Sequence, residues 1–329
     1  MAALGKTSDP RPAKNVSNVR GPVLPELPRG HATLASVIDA LKALAGNPPR
    51  ARTRFARGHC VRGTYAPSDR AKELTKSRSF TRPSRVLARF SVDGSLGMPD
   101  TGTSALLGFS FRLGGDQHRS DILTQNAPMH FATTLDQMLA FLKARIPTAD
   151  GKPDLKKVRA FAAANPESLH QAKYLAARPL QGFADTTYWG VHSFTAANAI
   201  GETRFIKFKV EPVGGDAAQP GDKAKAKSVD LLNHDLEQRI GAGDVRFSVL
   251  ALLDRPGDPT MDVTARWPDE DYREVVRLGT IVVTGLEAEH ACEASAFDPA
   301  NLADGIGYPP DEIFAARRVA YAMSRGKER

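Results

Sequence analysis

Cysteine is scarce in this sequence. Its 329 residues include only two, Cys60 and Cys292, and neither lies in a motif such as C-x-x-C. The count argues against a disulfide framework and against a cysteine-based zinc site. Long apolar runs are also missing: no stretch reaches the roughly eighteen consecutive apolar residues of a membrane helix. We therefore expect no membrane span.

The first part of the chain lacks the apolar core of a secretory signal. Residues 1–30 instead contain Lys, Arg, Gly and several prolines, which preclude a regular helix there. The sequence therefore predicts an irregular arm over residues 1–30 and a cytoplasmic location.

Basic residues exceed acidic ones, which gives a formal net charge of +8. They are dispersed along the chain and not interleaved with aromatic residues, so nucleic-acid binding is not expected. A basic balance does help to attract anionic ligands, including the carboxylates of a cofactor.

Periodicity predicts a mixed α+β fold. Apolar residues at helical spacing indicate helices at 32–45, 135–144 and 155–164. Strand-like runs occur in two blocks, at 55–65, 85–92, 105–113 and 121–126, and then at 187–198, 202–213, 245–253 and 279–284. Eight strands in two blocks of four predict a closed barrel with added helices, able to hold a ligand at its mouth. Residues 31–329 are interpreted as a single domain.

A pair of residues near the end of the chain carries possible chemistry. Arg317 and Tyr321 lie four apart on a helix-like run that begins near Pro310, so they share one helix face. A cation one turn away stabilises a phenolate, and a phenolate is a hard ligand suited to ferric iron. Taken alone, a pair at this spacing is usually part of a solvated helix face or a satisfied core tyrosine.

Several short blocks follow one another in a recognisable order. They are Gly63-Thr64-Tyr65, Ala88-Arg89-Phe90-Ser91, Gly108-Phe109-Ser110-Phe111, Asp121-Ile122-Leu123, Tyr188-Trp189-Gly190-Val191, Arg266-Trp267-Pro268, Leu278-Gly279-Thr280, Ala296-Phe297-Asp298-Pro299 and Gly305-Ile306. With them, residues 52–321 resemble the catalase family, and specifically the short catalase-related peroxidases that lack a C-terminal helical domain. The resemblance implies an eight-stranded antiparallel barrel and a buried haem b.

The resemblance also implies roles for individual residues. The proximal tyrosine that ligates the haem iron falls on Tyr321, and its partner arginine on Arg317. The arginines that meet the haem propionates fall on Arg52 and Arg89. These four positions belong to the implied cofactor-binding set, together with Phe131 and His192, and Tyr321 is the metal ligand.

Three further positions match residues around the family's haem. The distal asparagine, which hydrogen-bonds the peroxide, falls on Asn126. A phenylalanine over the haem face falls on Phe131, and a proximal histidine on His192. As isolated residues they also fit ordinary structural roles: a turn residue before Pro128, a core phenylalanine and a satisfied strand histidine.

The sequence departs from the family at one position. The distal histidine precedes the Gly-Thr block by eight residues, and that position is Phe55, within Phe55-Ala56-Arg57-Gly58. Phenylalanine cannot move a proton between the oxygens of a bound peroxide. General acid–base help is worth about 100- to 10,000-fold, so efficient hydrogen peroxide dismutation is not expected. His59 is nearby, but it is interpreted as a barrel-interior or rim histidine.

Three functions remain open. The first is a haem enzyme that acts on a peroxide, more readily an organic or fatty-acid hydroperoxide than hydrogen peroxide. The second is a haem-binding carrier, sensor or degenerate relative with little or no catalase activity. The third is a haem-free barrel that binds another apolar ligand. The expected partner is a peroxide or a small apolar hydroperoxide, and the sequence is compatible with a homodimer.

Overall fold

The computed structural model of this chain describes residues 30–46, 57–93, 105–214, 229–243, 245–294 and 297–326. Arg52 and Phe55 lie outside these ranges, as does the predicted arm except for Gly30. Within them the chain forms strands and helices in mixed order, and the predicted α+β class is confirmed.

The described strands pair antiparallel in one sheet. Their bounds are β1 Arg57–Pro67, β2 Ser84–Asp93, β3 Leu106–Leu113, β4 Ser120–Gln125, β5 Tyr188–Trp189, β6 Phe194–Ala197, β7 Thr203–Pro212, β8 Arg246–Leu253, β9 Val275–Leu286 and β10 Ile306–Gly307. Eight of them follow one another from β1 through β2, β3, β4, β5, β7, β8 and β9 and back to β1. The predicted eight-stranded antiparallel barrel is confirmed.

A register shift in the barrel wall contains His192. The strand predicted at 187–198 is divided into β5 and β6, which both pair with β7. Trp189 opposes Lys209 and Phe194 opposes Ile206, so residues 190–193 face only two residues of β7. Extra residues in one strand bend it and re-aim its side chains. The bulge therefore gives His192 a direction that regular strand alternation would not predict.

Apolar side chains fill the barrel interior. The rings of Phe90, Phe109, Tyr188 and Phe247 form a cluster with centroids 4.4 to 6.2 Å apart. Each fully buried side chain of this kind contributes about 1.5–3 kcal/mol through the hydrophobic effect. A small eight-stranded barrel is just wide enough for its own side chains. A large cofactor would therefore have to lie against the outer face of the wall.

Helices surround the barrel. Their bounds are α1 Leu34–Leu44, α2 Ala71–Leu74, α3 Arg78–Thr81, α4 Leu135–Lys143, α5 Leu155–Ala164, α6 His170–Ala176, α7 Val229–Ala242, α8 Glu289–Ala294 and α9 Glu312–Gly326, with 3-10 turns at Asp116–His118, Pro166–Leu169 and Phe183–Asp185. The three predicted helices are confirmed as α1, α4 and α5, and the run near Pro310 as α9. No helix in the described ranges has both the length and the apolar composition needed to cross a membrane.

α7 was not predicted from the sequence. Its residues Leu232, Leu236 and Ile240 are spaced by four and are all buried. This spacing is the signal that identifies one apolar helix face. The helix was overlooked because polar residues dominate its remaining positions.

Outside the barrel, α1, α4 and α9 pack around a second apolar cluster. Ile313 and Ala316 of α9 belong to it, together with Phe131 and Leu135. Glu312 Oε1 also accepts a hydrogen bond from the backbone N–H of Leu135 at 2.7 Å. The beginning of α9 is thus fixed to the beginning of α4 by both apolar and polar contacts.

The two cysteines form a disulfide, so the expectation that they would not pair was wrong. Cys60 on β1 and Cys292 on α8 are 232 residues apart in sequence, with their Cα atoms 5.9 Å apart. The prediction rested on the spacing of the cysteines along the sequence. In the fold β9 pairs with β1, so the segment that follows β9 lies beside Cys60. Disulfides are typical of oxidising compartments. The bond therefore does not favour the predicted cytoplasmic location, which stays a prediction.

Candidate functional site

Three ionisable side chains are connected at the beginning of α9. Oδ1 of Asp311 accepts a hydrogen bond from the backbone N–H of Phe314 at 2.8 Å, as a helix N-cap does. Its Oδ2 lies 2.9 Å from Nδ1 of His192. On the other side of the imidazole, Nε2 lies 3.2 Å from Nη1 of Arg317. We call this chain of contacts the Asp311–His192–Arg317 relay.

Chemistry fixes the proton positions in the relay. A guanidinium can only donate, so Nε2 of His192 accepts from Arg317. The proton of the neutral imidazole then lies on Nδ1 and is donated to the Asp311 carboxylate. The neutral imidazole of His192 therefore links the carboxylate of Asp311 to the guanidinium of Arg317 through two hydrogen bonds.

Burial supports the same assignment. It lowers the pKa of His192 below its ordinary value, more than the neighbouring Asp311 raises it. Burial alone would raise the pKa of Asp311, but His192 and the Phe314 N–H bring it below its ordinary value. The carboxylate is therefore ionised and the imidazole neutral near pH 7.

The local sequence explains why these groups meet. Pro309 and Pro310 precede Asp311, and an aspartate at this place is a favoured N-cap for the helix that follows. The His192 ring also packs edge-to-face on Phe314, with ring centroids 5.1 Å apart. The bulge of the barrel wall and the cap of α9 thus come together at one point.

Tyr321 lies one helical turn beyond Arg317 and is half-buried. On an α-helix, positions four apart lie on the same face, as the sequence predicted. The structure gives Arg317 a partner that the sequence did not predict, His192. The proposed contact between the guanidinium and the phenol stays a prediction.

Arg89 lies on the outer face of β2, directly opposite Cys60 of β1. Its side chain is 6% exposed, and its Nε lies 3.5 Å from Oε2 of Glu289 on α8. A cation this far from water needs an anionic partner. This burial distinguishes Arg89 from an ordinary surface arginine, while its role at a haem carboxylate stays a prediction.

Asn126 follows β4, and its side chain bonds the backbone near β3. Its Oδ1 accepts from the N–H of Leu107 at 2.9 Å, and its Nδ2 donates to the carbonyl of Ala105 at 3.0 Å. Asn126 also lines a cavity of about 400 Å³, beside Trp189 and Lys209. The amide therefore has a structural role that the sequence left open, and a peroxide-orienting role stays a prediction.

Phe131 is 1% exposed within the cluster of α1, α4 and α9. Its ring stacks on those of His130 and Phe141, with centroids 4.2 Å from each. These contacts account for Phe131 as a core residue. Its predicted place over a haem face stays a prediction.

The family model described as Catalase matches residues 35–327. This chain belongs to the catalase family.

Among curated members, the chain is similar to a catalase-related peroxidase of Synechococcus elongatus, with 29% identity over 88% of this chain and 87% of that protein. A catalase-related peroxidase of Mycolicibacterium paratuberculosis is 27% identical over 90% of this chain and 94% of its own length. A catalase of Helicobacter pylori is 26% identical, and the match covers 89% of this chain and 62% of that catalase. The resemblance to the short members of the catalase family is confirmed.

Solved catalases share the fold. A bacterial catalase structure matches 98% of this chain and 67% of its own, with a TM-score of 0.70 and 23% identity. Catalase A from Saccharomyces cerevisiae matches 93% of this chain and 67% of its own, with a TM-score of 0.71 and 18% identity. Both agree with the closed barrel described above.

Among the predicted catalase-family site residues that the structure describes, two contact each other and two have other neighbours. Arg317 and His192 are in direct contact. Arg89 has Glu289 as its neighbour, and Asn126 is bonded to backbone groups near β3. Arg52 and Phe55 lie outside the described residues, so their predicted roles stay predictions.

His59, the alternative distal histidine, lies near the beginning of β1. Its Nε2 is 3.8 Å from Oε1 of Glu237 on α7, and the side chain is 25% exposed. This agrees with its interpretation as a rim histidine.

Two residues of the candidate site, Asp311 and Glu289, were not predicted from the sequence. Asp311 could have been found as an N-cap aspartate that follows two prolines. Glu289 carries no comparable signal, because only the closure of the barrel brings α8 beside Arg89.

Proposed function

We propose that this protein is a haem-dependent oxidoreductase that acts on a peroxide, and prefers organic or fatty-acid hydroperoxides to hydrogen peroxide. The observation that carries the proposal is the Asp311–His192–Arg317 relay, which ends one helical turn before Tyr321. Similarity to proteins named catalase-related peroxidase supports the peroxide as substrate.

The chemistry of the available side chains fits haem b. Tyr321 offers a phenolate, a ligand type suited to ferric iron. Arg89 offers a buried guanidinium that can bind a haem carboxylate, and Arg52 is proposed as the second such arginine. Phe131 and His192 complete the proposed cofactor-binding set. When bound, the haem supplies the redox chemistry that cleaves the O–O bond.

The relay fixes the cation that faces the proposed ligand. Asp311 is ionised and bonds His192, which in turn accepts from Arg317. A guanidinium has five N–H donors, so Arg317 can bond His192 and still donate to a phenolate oxygen. A phenolate oxygen is the group through which Tyr321 would ligate the metal.

We propose Asn126 and Phe55 as the residues of the opposite, distal side. An amide can hydrogen-bond a peroxide oxygen, although that of Asn126 also bonds the backbone of Leu107 and Ala105. Phe55 has no proton to transfer and would make the pocket more apolar. An apolar pocket favours a hydroperoxide with an apolar substituent, which is the reason for the proposed preference.

A second candidate is a haem-binding carrier, sensor or degenerate relative without peroxide chemistry. The bonds that occupy the amide of Asn126 favour it, because a residue that is needed to brace the wall is less available to a substrate. In this case the side of Tyr321 would be retained for haem binding alone.

Reconstitution with haem b tests the proposal. The purified protein is expected to develop a Soret band. With a phenol as electron donor, we expect it to reduce cumene hydroperoxide and a fatty-acid hydroperoxide to their alcohols faster than it consumes hydrogen peroxide. Fast hydrogen peroxide dismutation with unchanged organic hydroperoxides would contradict the preference, and an absent Soret band would contradict haem binding.

Phe55→His separates the two candidates. If the first is correct, the wild type already reduces organic hydroperoxides, and the variant gains about 100-fold in hydrogen peroxide consumption. If the second is correct, the wild type is inactive with every peroxide and activity appears only in the variant. Phe161→His, a matched change at a half-buried phenylalanine of α5 outside the proposed site, is expected to confer no such gain.

A further inference from the structure

We propose that Glu289 is a positioning residue for Arg89, and that the Cys60–Cys292 disulfide keeps Glu289 in place. The inference rests on the haem-binding function proposed above, because Arg89 is the arginine assigned there to a haem carboxylate. It adds a residue and a covalent bond to the requirements of that site.

The two oxygens of Glu289 connect two strands of the barrel wall. Oε1 accepts a hydrogen bond from the backbone N–H of Cys60 on β1, at 2.7 Å. Oε2 lies 3.5 Å from Nε of Arg89 on β2, an ion-pair contact without hydrogen-bond geometry. Because Cys60 and Arg89 are paired residues of neighbouring strands, one carboxylate can reach both. Contacts on both oxygens restrict the rotation of the Glu289 carboxylate.

The burial of Arg89 makes this contact matter. Its side chain is 6% exposed. A guanidinium removed from water is strongly disfavoured unless an anion compensates it. Glu289 provides that anion before any cofactor arrives. Arg89 can then be held in one place in the haem-free protein.

Glu289 would assist a haem carboxylate more than it competes with it. Its side chain is 44% exposed, so solvent screens the repulsion between its charge and a second carboxylate. Its contact is with Nε, at the base of the guanidinium. The guanidinium also has donors on its two Nη atoms, which suit a bidentate contact with a carboxylate. A donor group held in its binding geometry loses less entropy when the ligand binds.

The disulfide is what fixes Glu289. α8 has six residues, which is too short for a helix that is stable by itself. Cys292 lies three residues after Glu289, and its bond to Cys60 attaches α8 to the same strand position that Glu289 contacts. The backbone N–H of Glu287 also donates to the carbonyl of Cys60 at 2.8 Å. Glu289 is thus tied to β1 on both sides along the chain.

Titration of the haem-free protein with two porphyrins tests the inference. Haem b carries two carboxylates, whereas its dimethyl ester carries none, and the Soret band reports binding of either. Glu289→Ala is expected to weaken haem b binding about tenfold, roughly the size of one charge-assisted hydrogen bond. Binding of the ester should change less than about twofold, because the ester has no carboxylate for Arg89 to bind.

Two further variants complete the test. Glu289→Gln keeps an acceptor for the Cys60 N–H, and we expect an intermediate affinity for haem b. Glu287→Ala is the matched control: its carboxylate is 3.7 Å from the exposed Arg62, and its removal should leave both titrations unchanged. Cys60→Ala combined with Cys292→Ala should reproduce the result for Glu289→Ala. If this double variant does not fold, the wild type reduced with dithiothreitol is titrated in its place.

Each outcome is decisive. Equal loss for both porphyrins in Glu289→Ala would show that α8 only stabilises the wall. A higher affinity for haem b would make Glu289 a competitor, and no change would remove it from the site. A disulfide-free protein with unaltered haem affinity would overturn the role of the disulfide. If the wild type binds neither porphyrin, the proposed function fails together with this inference.

Discussion

The two sides of the candidate site differ in what their polar side chains bond. On the side of α9, Asp311, His192 and Arg317 bond one another through side-chain atoms. On the side of β3 and β4, the amide of Asn126 bonds backbone groups of Leu107 and Ala105. The first arrangement links a buried carboxylate to a guanidinium through an imidazole, whereas the second closes the edge of a wall.

The difference matters because burying charged side chains has a larger free-energy cost than burying a neutral amide that is hydrogen-bonded to the backbone. Burying ionised groups such as Asp311 is unfavourable unless partners compensate them, and an apolar replacement is often no less stable. Buried charged networks with perturbed pKa values therefore suggest a functional requirement. An asparagine that satisfies two backbone groups needs no such requirement. The structure thus supports the proximal half of the proposed site more strongly than the distal half.

Tyr321→Phe tests the proximal half and has the largest expected effect. The variant keeps the ring but loses the ligand oxygen. Changes in residues that only support a metal ligand typically cost 10- to 100-fold in metal affinity, so loss of the ligand itself should cost more than about 100-fold. Soret titration and the haem content of the purified protein measure this directly.

Tyr308→Phe is the matched control for that experiment. Tyr308 is half-buried, and its hydroxyl donates to the carbonyl of Ala300 at 2.8 Å. Its change should leave haem binding intact. Unaltered haem content and optical bands in Tyr321→Phe would contradict the whole proposal.

Asn126→Ala tests the distal half and should have a smaller effect, mainly on stability. The change leaves the Leu107 N–H and the Ala105 carbonyl without their side-chain partner. A backbone group left unsatisfied costs about 1–3 kcal/mol, which urea unfolding can measure. The free energy of unfolding of Gln125→Ala, a variant at the neighbouring position, is measured for comparison with that of Asn126→Ala. A variant of unchanged stability but much slower peroxide turnover would show that Asn126 acts on the substrate.

The fold was largely predictable because most of its strands and helices follow from short local patterns in the sequence. Alternating apolar residues gave the strands, and their number gave the barrel. The breaking of 187–198 into β5 and β6 was not predictable, since a bulge depends on the register with β7. The same holds for the disulfide, because Cys60 and Cys292 meet only when β9 pairs with β1.

The site was predictable where helix geometry or motif order decided it. The spacing of Arg317 and Tyr321 on one helix face is of this kind. Partner residues from distant segments of the chain were not predictable. Examples are Asp311, the partner of His192, and Glu289, the partner of Arg89. Sequence patterns therefore identify functional side chains more readily than the partner residues that position those side chains.

His192→Asn tests the relay through pH and should have the smallest effect. Burial lowers the pKa of His192 in the folded protein, whereas an unfolded histidine titrates near 6.5. As the pH falls below about 6.5, the unfolded chain takes up a proton that the folded chain excludes, and stability decreases. The stabilising contribution is therefore fully present above this pH and declines below it.

In His192→Asn this decline should be absent, because an amide does not titrate in this range. Free energies of urea unfolding between about pH 5 and pH 8 measure the slope, and the lower limit avoids titration of Asp311. His31→Asn is the control, because it is the same substitution at an exposed histidine outside the relay, and it should keep the decline. Equal slopes in the wild type and His192→Asn would show that His192 is not held neutral by burial, and the proton assignment of the relay would then be wrong.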